Sequence, residues 1–183
     1  MTTLALGTAF PRTVEAARAE DRSLAAGSWE RDKKDPRWVH GRVDVATAPS
    51  AVWDRARDVP SWPKLFSDIR WLTVKAHDGS RWRVRLETRS MNCGSHEYDV
   101  VLEPAQRRVR LDIDAPGIDS RAWLIVRDGA PPAKADIRYS LYVRATGVMG
   151  WFISEKTLRA KQEQMVQRNL DDLRKAFGAP SAS

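Results

Sequence analysis

A long helical pattern near the C-terminal end, preceded by one alternating segment after another, constrains this fold most. From Ser154 to Phe177, apolar residues recur at helical spacing along one face. That face carries Leu158, Met165, Val166, Leu170, Leu173 and Phe177. Ser154 is a favourable N-cap and Gly178 a favourable stop. The pattern predicts one amphipathic helix of roughly 36 Å, long enough to fill the concave side of a curved sheet.

The chain before this helix alternates between apolar and polar residues, as antiparallel strands with one buried face do. The clearest segment is Arg81–Thr88, and the Asp78-Gly79 pair before it is a strong hairpin signal. We predict strands over Trp38–Ala46, Asp68–Ala76, Arg81–Thr88, His96–Leu102, Arg108–Asp114, Ile118–Arg127 and Asp136–Arg144. The sequence therefore predicts an α+β fold in which about seven antiparallel strands wrap around the C-terminal helix.

Two short helical segments separate the first predicted strand from the second. Pro49 opens the first, with Val52, Trp53 and Ala56 on its inner face, and the second runs through Leu65-Phe66. The stretches VATAPSAVW (residues 45–53) and DVPSWPKLF (residues 58–66) resemble the opening of the polyketide cyclase/dehydrase and lipid-transport superfamily, also called START-like or SRPBCC. In that pattern a proline starts the first short helix, Val-Trp packs it under the sheet, and Trp-Pro begins the second.

The resemblance covers the order of elements from about Trp29 to Phe177 and implies the helix-grip fold. It also implies a cavity between sheet and helix that holds a lipid, sterol, quinone or aromatic polyketide. The superfamily includes carriers, binding proteins and a few cyclases, and it provides no catalytic residue set to carry over. Residues 1–28 lie outside the pattern, so we expect an N-terminal extension with a helix over Thr13–Ala26, followed by a ligand-binding domain over 29–183.

Ten residues are candidate ligand contacts. They are Trp82, Leu86, His96, Tyr98, Leu111, Trp123, Tyr139, Gln162, Met165 and Asn169. Gln162 and Asn169 fall inside the apolar stripe of the helix, where an unpaired amide is costly, so each either serves a pocket or bonds loop backbone. Tyr98 and Tyr139 offer hydroxyls to a ligand or to backbone. The alternation does not decide which side of the sheet Trp123 is on, because both alternating sets of residues in its strand are apolar.

Cys93 and His96 form a Cys-x-x-His pair, the spacing of a metal or a nucleophile–base site. A metal would need further protein ligands, and the other two histidines, His40 and His77, fall on an outward face and in a turn. We therefore predict no metal and no cofactor, with His96 in the core or lining the pocket. The leading hypothesis is binding or transfer of an apolar molecule; the alternative is a cyclase or dehydratase with His96 or Tyr139 as general acid/base.

The net charge of +7 favours anionic partners. Most strand arginines face outward among acidic residues, which predicts a solvated face of paired charges. They are Arg81, Arg83, Arg85, Arg108, Arg110, Arg121, Arg127, Arg138 and Arg144. Docking of this face on an anionic membrane is the alternative interpretation. A nucleic-acid-binding module ranks last, because base stacking needs outward aromatic residues and only Tyr142 fits.

The compartment stays open, with the cytoplasm favoured and the cell envelope as the alternative. The single cysteine allows no internal disulfide, which fits a reducing compartment. No apolar run approaches the roughly 20 residues that span a bilayer. Leu4–Phe10 has no preceding Lys or Arg and makes a poor signal peptide.

Overall fold

The structure, a computed structural model, describes residues 24–90, 94–115, 117–147 and 154–180. Most of the helix predicted over Thr13–Ala26 lies outside the described residues, as does Cys93. The elements are β1 (Trp29–Arg31), β2 (Trp38–Val45), α1 (Pro49–Ala56), α2 (Trp62–Leu65), β3 (Ile69–Asp78), β4 (Arg81–Thr88), β5 (Ser95–Glu103), β6 (Arg108–Ala115), β7 (Ile118–Asp128), β8 (Ala135–Ala145) and α3 (Glu155–Phe177). A single 3-10 turn, Val59–Ser61, joins α1 to α2.

The strands form one antiparallel sheet in the order β1-β2-β8-β7-β6-β5-β4-β3. The last strand, β8, pairs along its length with β2, so consecutive hairpins return the chain to its beginning. The predicted α+β helix-grip fold is confirmed. The sheet has eight strands, one more than predicted, because β1 has three residues and is too short to show an alternation.

Helix α3 packs on β2 and β8 and is anchored at both ends. The Ser154 side chain accepts a hydrogen bond from the Thr157 amide (3.1 Å), which confirms the predicted cap. At the other end, Thr47 Oγ1 donates to the carbonyl of Phe177 (2.7 Å). The first bond caps the helix, and the second ties its C-terminal end to the segment that follows β2.

Gly41 on β2 permits the close approach of this helix. A Cβ at Gly41 would lie 2.7 Å from Leu170 Cδ1 and 2.9 Å from Val166 Cγ1. Both distances are far shorter than ordinary van der Waals contact. The missing side chain therefore lets α3 lie directly on the strand.

The two short helices close one end of the space beneath α3. Val52, Trp53 and Ala56 of α1 are buried, which confirms the inner face predicted for this helix. Trp62 Nε1 donates to the Ala56 carbonyl (2.9 Å) and ties α2 to α1. Phe66 follows α2 and packs against the same core.

Acidic side chains neutralise much of the positive charge on the outer face. At least six of the nine arginines predicted to face outward form ion pairs. The pairs are Arg83–Asp99, Arg108–Glu103, Arg110–Asp112, Arg121–Asp119, Arg138–Asp136 and Arg144–Asp119. This pairing is what the interpretation as a solvated face expects, and contact with an anionic membrane stays a prediction.

The outer face also carries a small aromatic cluster, formed by Trp38, Trp123 and Tyr142. The guanidinium groups of Arg37 and Arg121 lie 5.4 and 5.5 Å from the centre of the Tyr142 ring. Tyr142 is buried under them and presents no open ring on which a base could stack. The feature that favoured nucleic-acid binding is therefore absent at Tyr142.

Two histidines differ in their surroundings. His40 is on the outer face as predicted, but it is buried, with Nδ1 2.9 Å from Ser140 Oγ. His77 lies in strand β3 and not in a turn, which corrects the prediction. Its ring stacks on that of Trp82, its partner in the β3–β4 register, at 3.7 Å between ring centres, and the pairing continues to Asp78 beyond a register shift between Val74 and Ala76.

Candidate functional site

A cavity of about 100 Å³ lies between the sheet and helix α3. Its wall is mainly apolar, with contributions from the α1–β3 region, from β4 to β8 and from α3. The lining residues are Ala56, Trp62, Phe66, Asp68, Ile69, Leu86, Thr88, Tyr98, Val109, Leu111, Ser120, Ala122, Trp123, Leu124, Tyr139, Leu141, Met165 and Asn169. The space lies between sheet and helix, where the family resemblance implies a cavity.

A second and wider depression of about 340 Å³ lies at the surface beside the C-terminal end of α3. Its walls are short side chains around Pro131 and Pro132, with Asp44 and Arg174 at the rim. It is more open to solvent than the inner cavity. The inner cavity is the better candidate site, because ligand sites are enclosed, mostly apolar and carry a few convergent polar groups.

Seven of the ten predicted contact residues border the inner cavity. They are Leu86, Tyr98, Leu111, Trp123, Tyr139, Met165 and Asn169. Trp123 is a special case, because its ring packs at 5.8 Å from Trp38 in the outer aromatic cluster. Its neighbours Ala122 and Leu124 belong to the inner core, so strand alternation turns the Trp123 ring away from the cavity.

The other three predicted contacts, Trp82, His96 and Gln162, are not among the lining residues. Trp82 packs against the core farther along β4, beneath His77. His96 stands opposite Leu86 in the β4–β5 pair, and its Nε2 is buried without a hydrogen-bond partner among the described residues. The alternation of side chains along their strands predicts that Trp82 and His96 are on the inner face, but the cavity does not extend to them.

Gln162 has a structural role at this position. The side chain is 2% exposed, and its Nε2 donates to two backbone carbonyls, those of Leu141 and Arg37, each at 2.6 Å. Its Oε1 accepts from Arg31 Nη1 at 3.2 Å. From the sequence, Gln162 could either serve a pocket or bond loop backbone. The structure shows bonds to backbone, and these fasten α3 to β8 and to the loop before β2.

Asn169, two helical turns later, is placed differently. It lines the cavity, is 7% exposed, and its Oδ1 has no hydrogen-bond partner among the residues that the structure describes. Its side chain hydrogen-bonds the Tyr139 hydroxyl, and this bond by itself lowers the pKa of Tyr139, as a bond donated to the phenolic oxygen does. Asn169 Oδ1 is therefore the acceptor at this wall that is left without a partner in the described part of the chain.

Burial dominates the protonation of Tyr139. Burial raises the pKa of Tyr139 far above the ordinary value, and the negative charge of Asp68 raises this pKa further. The hydrogen-bonding effect of Asn169 lowers the pKa, but it is smaller than the effect of burial. The surface that Tyr139 retains belongs to the cavity, which it lines. Its hydroxyl consequently stays protonated around neutral pH and acts as a hydrogen-bond donor.

Asp68 is a cavity residue that the sequence did not indicate. It is 3% exposed and lines the wall just before β3. Its Oδ1 accepts from Arg168 Nη1 (2.7 Å) and from the Ser90 amide (3.1 Å), and its Oδ2 accepts from the Ser90 hydroxyl. A carboxylate beside a strand end carries no periodic signal, and its cation lies on α3, 100 residues away. Only the tertiary structure shows that this charge is buried.

The site thus combines an apolar wall with a few polar side chains, those of Asp68, Thr88, Tyr98, Ser120, Tyr139 and Asn169. No Arg, Lys or His occurs among the described lining residues. Across residues 24–90, 94–115, 117–147 and 154–180, no cluster of three or more His, Cys, Asp or Glu side chains is arranged to hold a metal. Within the same ranges no helix combines the length and apolar character needed to cross a membrane. The arrangement can hold an apolar molecule and orient one polar group on it.

Comparison with known protein families agrees with this architecture. The family model described as polyketide cyclase/dehydrase and lipid transport matches residues 38–178, well over half of the chain. Comparison with curated proteins found no match.

Several solved structures share the fold at low sequence identity. A START superfamily protein from Mycobacterium smegmatis is 12% identical, with a TM-score of 0.61, and the match covers 76% of this chain and 96% of that one. A protein from Thermus thermophilus is 15% identical, with a TM-score of 0.64 and the same coverage. The Zhui aromatase/cyclase from Streptomyces sp. R1128 is 18% identical, with a TM-score of 0.60, covering 76% of this chain and 92% of that one.

Proposed function

The chain belongs to the polyketide cyclase/dehydrase and lipid transport family, and on that premise we propose that it binds an apolar small molecule beneath helix α3. The observation that carries the proposal is the mostly apolar cavity between the sheet and α3, whose described lining residues include no cationic side chain. Apolar surface that leaves water there contributes about 25 cal/mol per Å². Such burial supplies most of the affinity, and the polar side chains set the orientation.

The size of the cavity limits what it accepts. Pockets for whole ligands commonly measure about 300–1,000 Å³, so about 100 Å³ holds roughly one ring or the end of a chain. A lipid, sterol, quinone or aromatic polyketide would enter by one end and displace wall residues. Met165 and Phe66 are suited to such displacement, since methionine is flexible and Phe66 stands in the short segment between α2 and β3.

Ligand extraction tests the proposal directly. The purified protein is extracted with organic solvent, and the extract is analysed by mass spectrometry. In parallel, the neutral probe N-phenyl-1-naphthylamine is titrated and its fluorescence recorded. We expect saturable binding to the protein.

A matched pair of variants assigns this binding to the cavity. Ala122→Leu adds volume to the wall, whereas Ala105→Leu makes the same change at an exposed position. We expect Ala122→Leu to weaken probe binding at least about tenfold, because the added methyl groups occupy the space of the probe. Ala105→Leu should leave it unchanged. A blank extract together with no saturable probe binding would show the proposal to be wrong.

A second candidate function is catalysis of the cyclase or dehydratase type in the same cavity. The observation that favours it is Tyr139, a protonated donor in a mostly apolar wall, which can hydrogen-bond a ketone oxygen and stabilise the enolate that develops there. The raised pKa of Tyr139 argues against its acting as a base. An aromatase/cyclase is among the proteins of the same fold, although at 18% identity that likeness concerns the fold alone.

Turnover of a poly-β-keto substrate analogue distinguishes catalysis from binding. If the protein is a catalyst, Tyr139→Phe should lower kcat by about 10²-fold or more and leave the affinity nearly unchanged, since the lost donor acts mainly on the transition state. His96→Ala should have little effect, because His96 is not among the lining residues. No turnover by the unmodified protein, or full turnover by Tyr139→Phe, would contradict this second candidate.

A further inference from the structure

Tyr139 and Asn169 leave two complementary hydrogen-bonding groups at the cavity wall. Tyr139 and Asn169 both line the wall, and the Tyr139 hydroxyl, whose raised pKa keeps its proton in place around neutral pH, is the donor of the pair. Asn169 Oδ1 is the remaining acceptor, buried and without a partner in the described part of the chain. A buried acceptor without a partner is costly, and most such groups in folded proteins are paired. The protein itself therefore leaves this acceptor unsatisfied within the described residues.

The charge around this pair is unfavourable for an anion. Asp68 places a carboxylate in the same wall, and both of its oxygens are already occupied by Arg168 and Ser90. Arg168 itself extends to the exposed side of α3 and is not a lining residue. A carboxylate ligand would lose its hydration without gaining a counter-ion, which is costly in an apolar enclosure.

We propose that Asn169 determines ligand specificity, by selecting, together with Tyr139, an apolar molecule that carries a neutral hydroxyl group. This inference rests on the proposed function, namely that the cavity binds an apolar molecule. The oxygen of a ligand hydroxyl accepts a hydrogen bond from the Tyr139 hydroxyl, and the same ligand hydroxyl donates one to Asn169 Oδ1. One ligand group therefore satisfies both the donor and the acceptor. A carbonyl oxygen satisfies the donor only, a hydrocarbon satisfies neither, and a carboxylate adds an uncompensated charge.

Binding requires a small adjustment of Asn169. Its Oδ1 is covered by neighbouring atoms in the ligand-free protein. The terminal torsion of an asparagine is soft, so a modest rotation of the amide exposes the oxygen toward the cavity. Met165, one turn earlier on α3 and also in the wall, is a flexible neighbour that can give way.

Three ligands with one carbon skeleton test the proposal: naphthalene, 2-naphthol and 2-naphthoate. Their affinities at pH 7 are measured by displacement of N-phenyl-1-naphthylamine. We expect 2-naphthol to bind about tenfold tighter than naphthalene, from two added hydrogen bonds, and 2-naphthoate to bind more weakly than naphthalene. In Asn169→Leu, which keeps the size of the side chain, the advantage of 2-naphthol should fall below about threefold, with naphthalene binding undiminished.

Two further variants make the result decisive. Gln167→Leu removes another amide of α3, one that bonds Asp171 at the helix surface, and should retain the full preference for 2-naphthol. Tyr139→Phe removes the donor and should reduce the preference, which provides a test should Asn169→Leu fail to fold. Equal affinity of the unmodified protein for naphthalene and 2-naphthol, or a preference that survives both cavity variants, would overturn the inference alone. If the probe itself does not bind, so that no displacement can be measured, and the solvent extract is blank, the proposed function is wrong as well.

Discussion

Replacing Gln162 by methionine tests whether this buried amide is a structural fastener. Methionine keeps the length and flexibility of the side chain but removes every hydrogen bond. The change deletes two bonds to the Leu141 and Arg37 carbonyls and one from Arg31. At a net value of about 0.5–1.5 kcal/mol each, the loss of three bonds should lower the free energy of unfolding by about 1.5–4.5 kcal/mol. For a chain of this length, that corresponds to a Tm lower by roughly 3–18 °C.

Urea denaturation followed by circular dichroism measures this change, with Asn169→Leu as the matched control on the same helix. Asn169 lacks a partner for its Oδ1 among the described residues, so we expect its replacement to change the free energy of unfolding by less than about 1 kcal/mol. If Gln162→Met unfolds at the same urea concentration as the unmodified protein, or if Asn169→Leu is the more damaging change, the assignment of the two amides is wrong.

Three further results are expected. The ordinary tyrosine pKa is about 10, and burial raises the pKa of Tyr139 well above it in the folded protein. Above about pH 10 only the unfolded chain loses this proton, so the free energy of unfolding should fall as the pH rises further. In Tyr139→Phe this fall should be smaller. Gly41→Ala should destabilise by about 1–3 kcal/mol in thermal denaturation, because its Cβ would meet Leu170 at 2.7 Å, and an unchanged Tm would refute this packing. Ser154→Ala should cost about 0.5–2 kcal/mol through loss of the bond from Thr157, whereas Ser154→Asp, which can also cap the helix, should not.

The elements themselves followed from local patterns. Strand β4 begins and ends at Arg81 and Thr88, as its alternation predicts, and α3 begins after Ser154 and ends at Phe177. These predictions succeed because an element that buries one face repeats with its own period, two for a strand and about 3.6 for a helix. Strand β1 was not predicted, because three residues are too few to show an alternation.

The candidate site was only partly predictable. Parity placed Tyr98, Tyr139 and Asn169 on the inner face, and they line the cavity. The same reasoning grouped Gln162 with Asn169, although the two amides meet different surroundings, backbone carbonyls for one and the Tyr139 hydroxyl for the other. Periodicity reports which face a residue is on, but it does not report how far along the sheet an empty space extends.

The amino-acid sequence by itself determined the order of elements, the antiparallel sheet around a terminal helix and the apolar inner face, because these depend on residues close together in the chain. The tertiary structure decided the volume of the void, the outward turn of the Trp123 ring and the burial of Asp68 against Arg168. Those features depend on contacts between side chains many residues apart. In a close-packed interior, differences smaller than a methyl group determine whether a space is filled or left open.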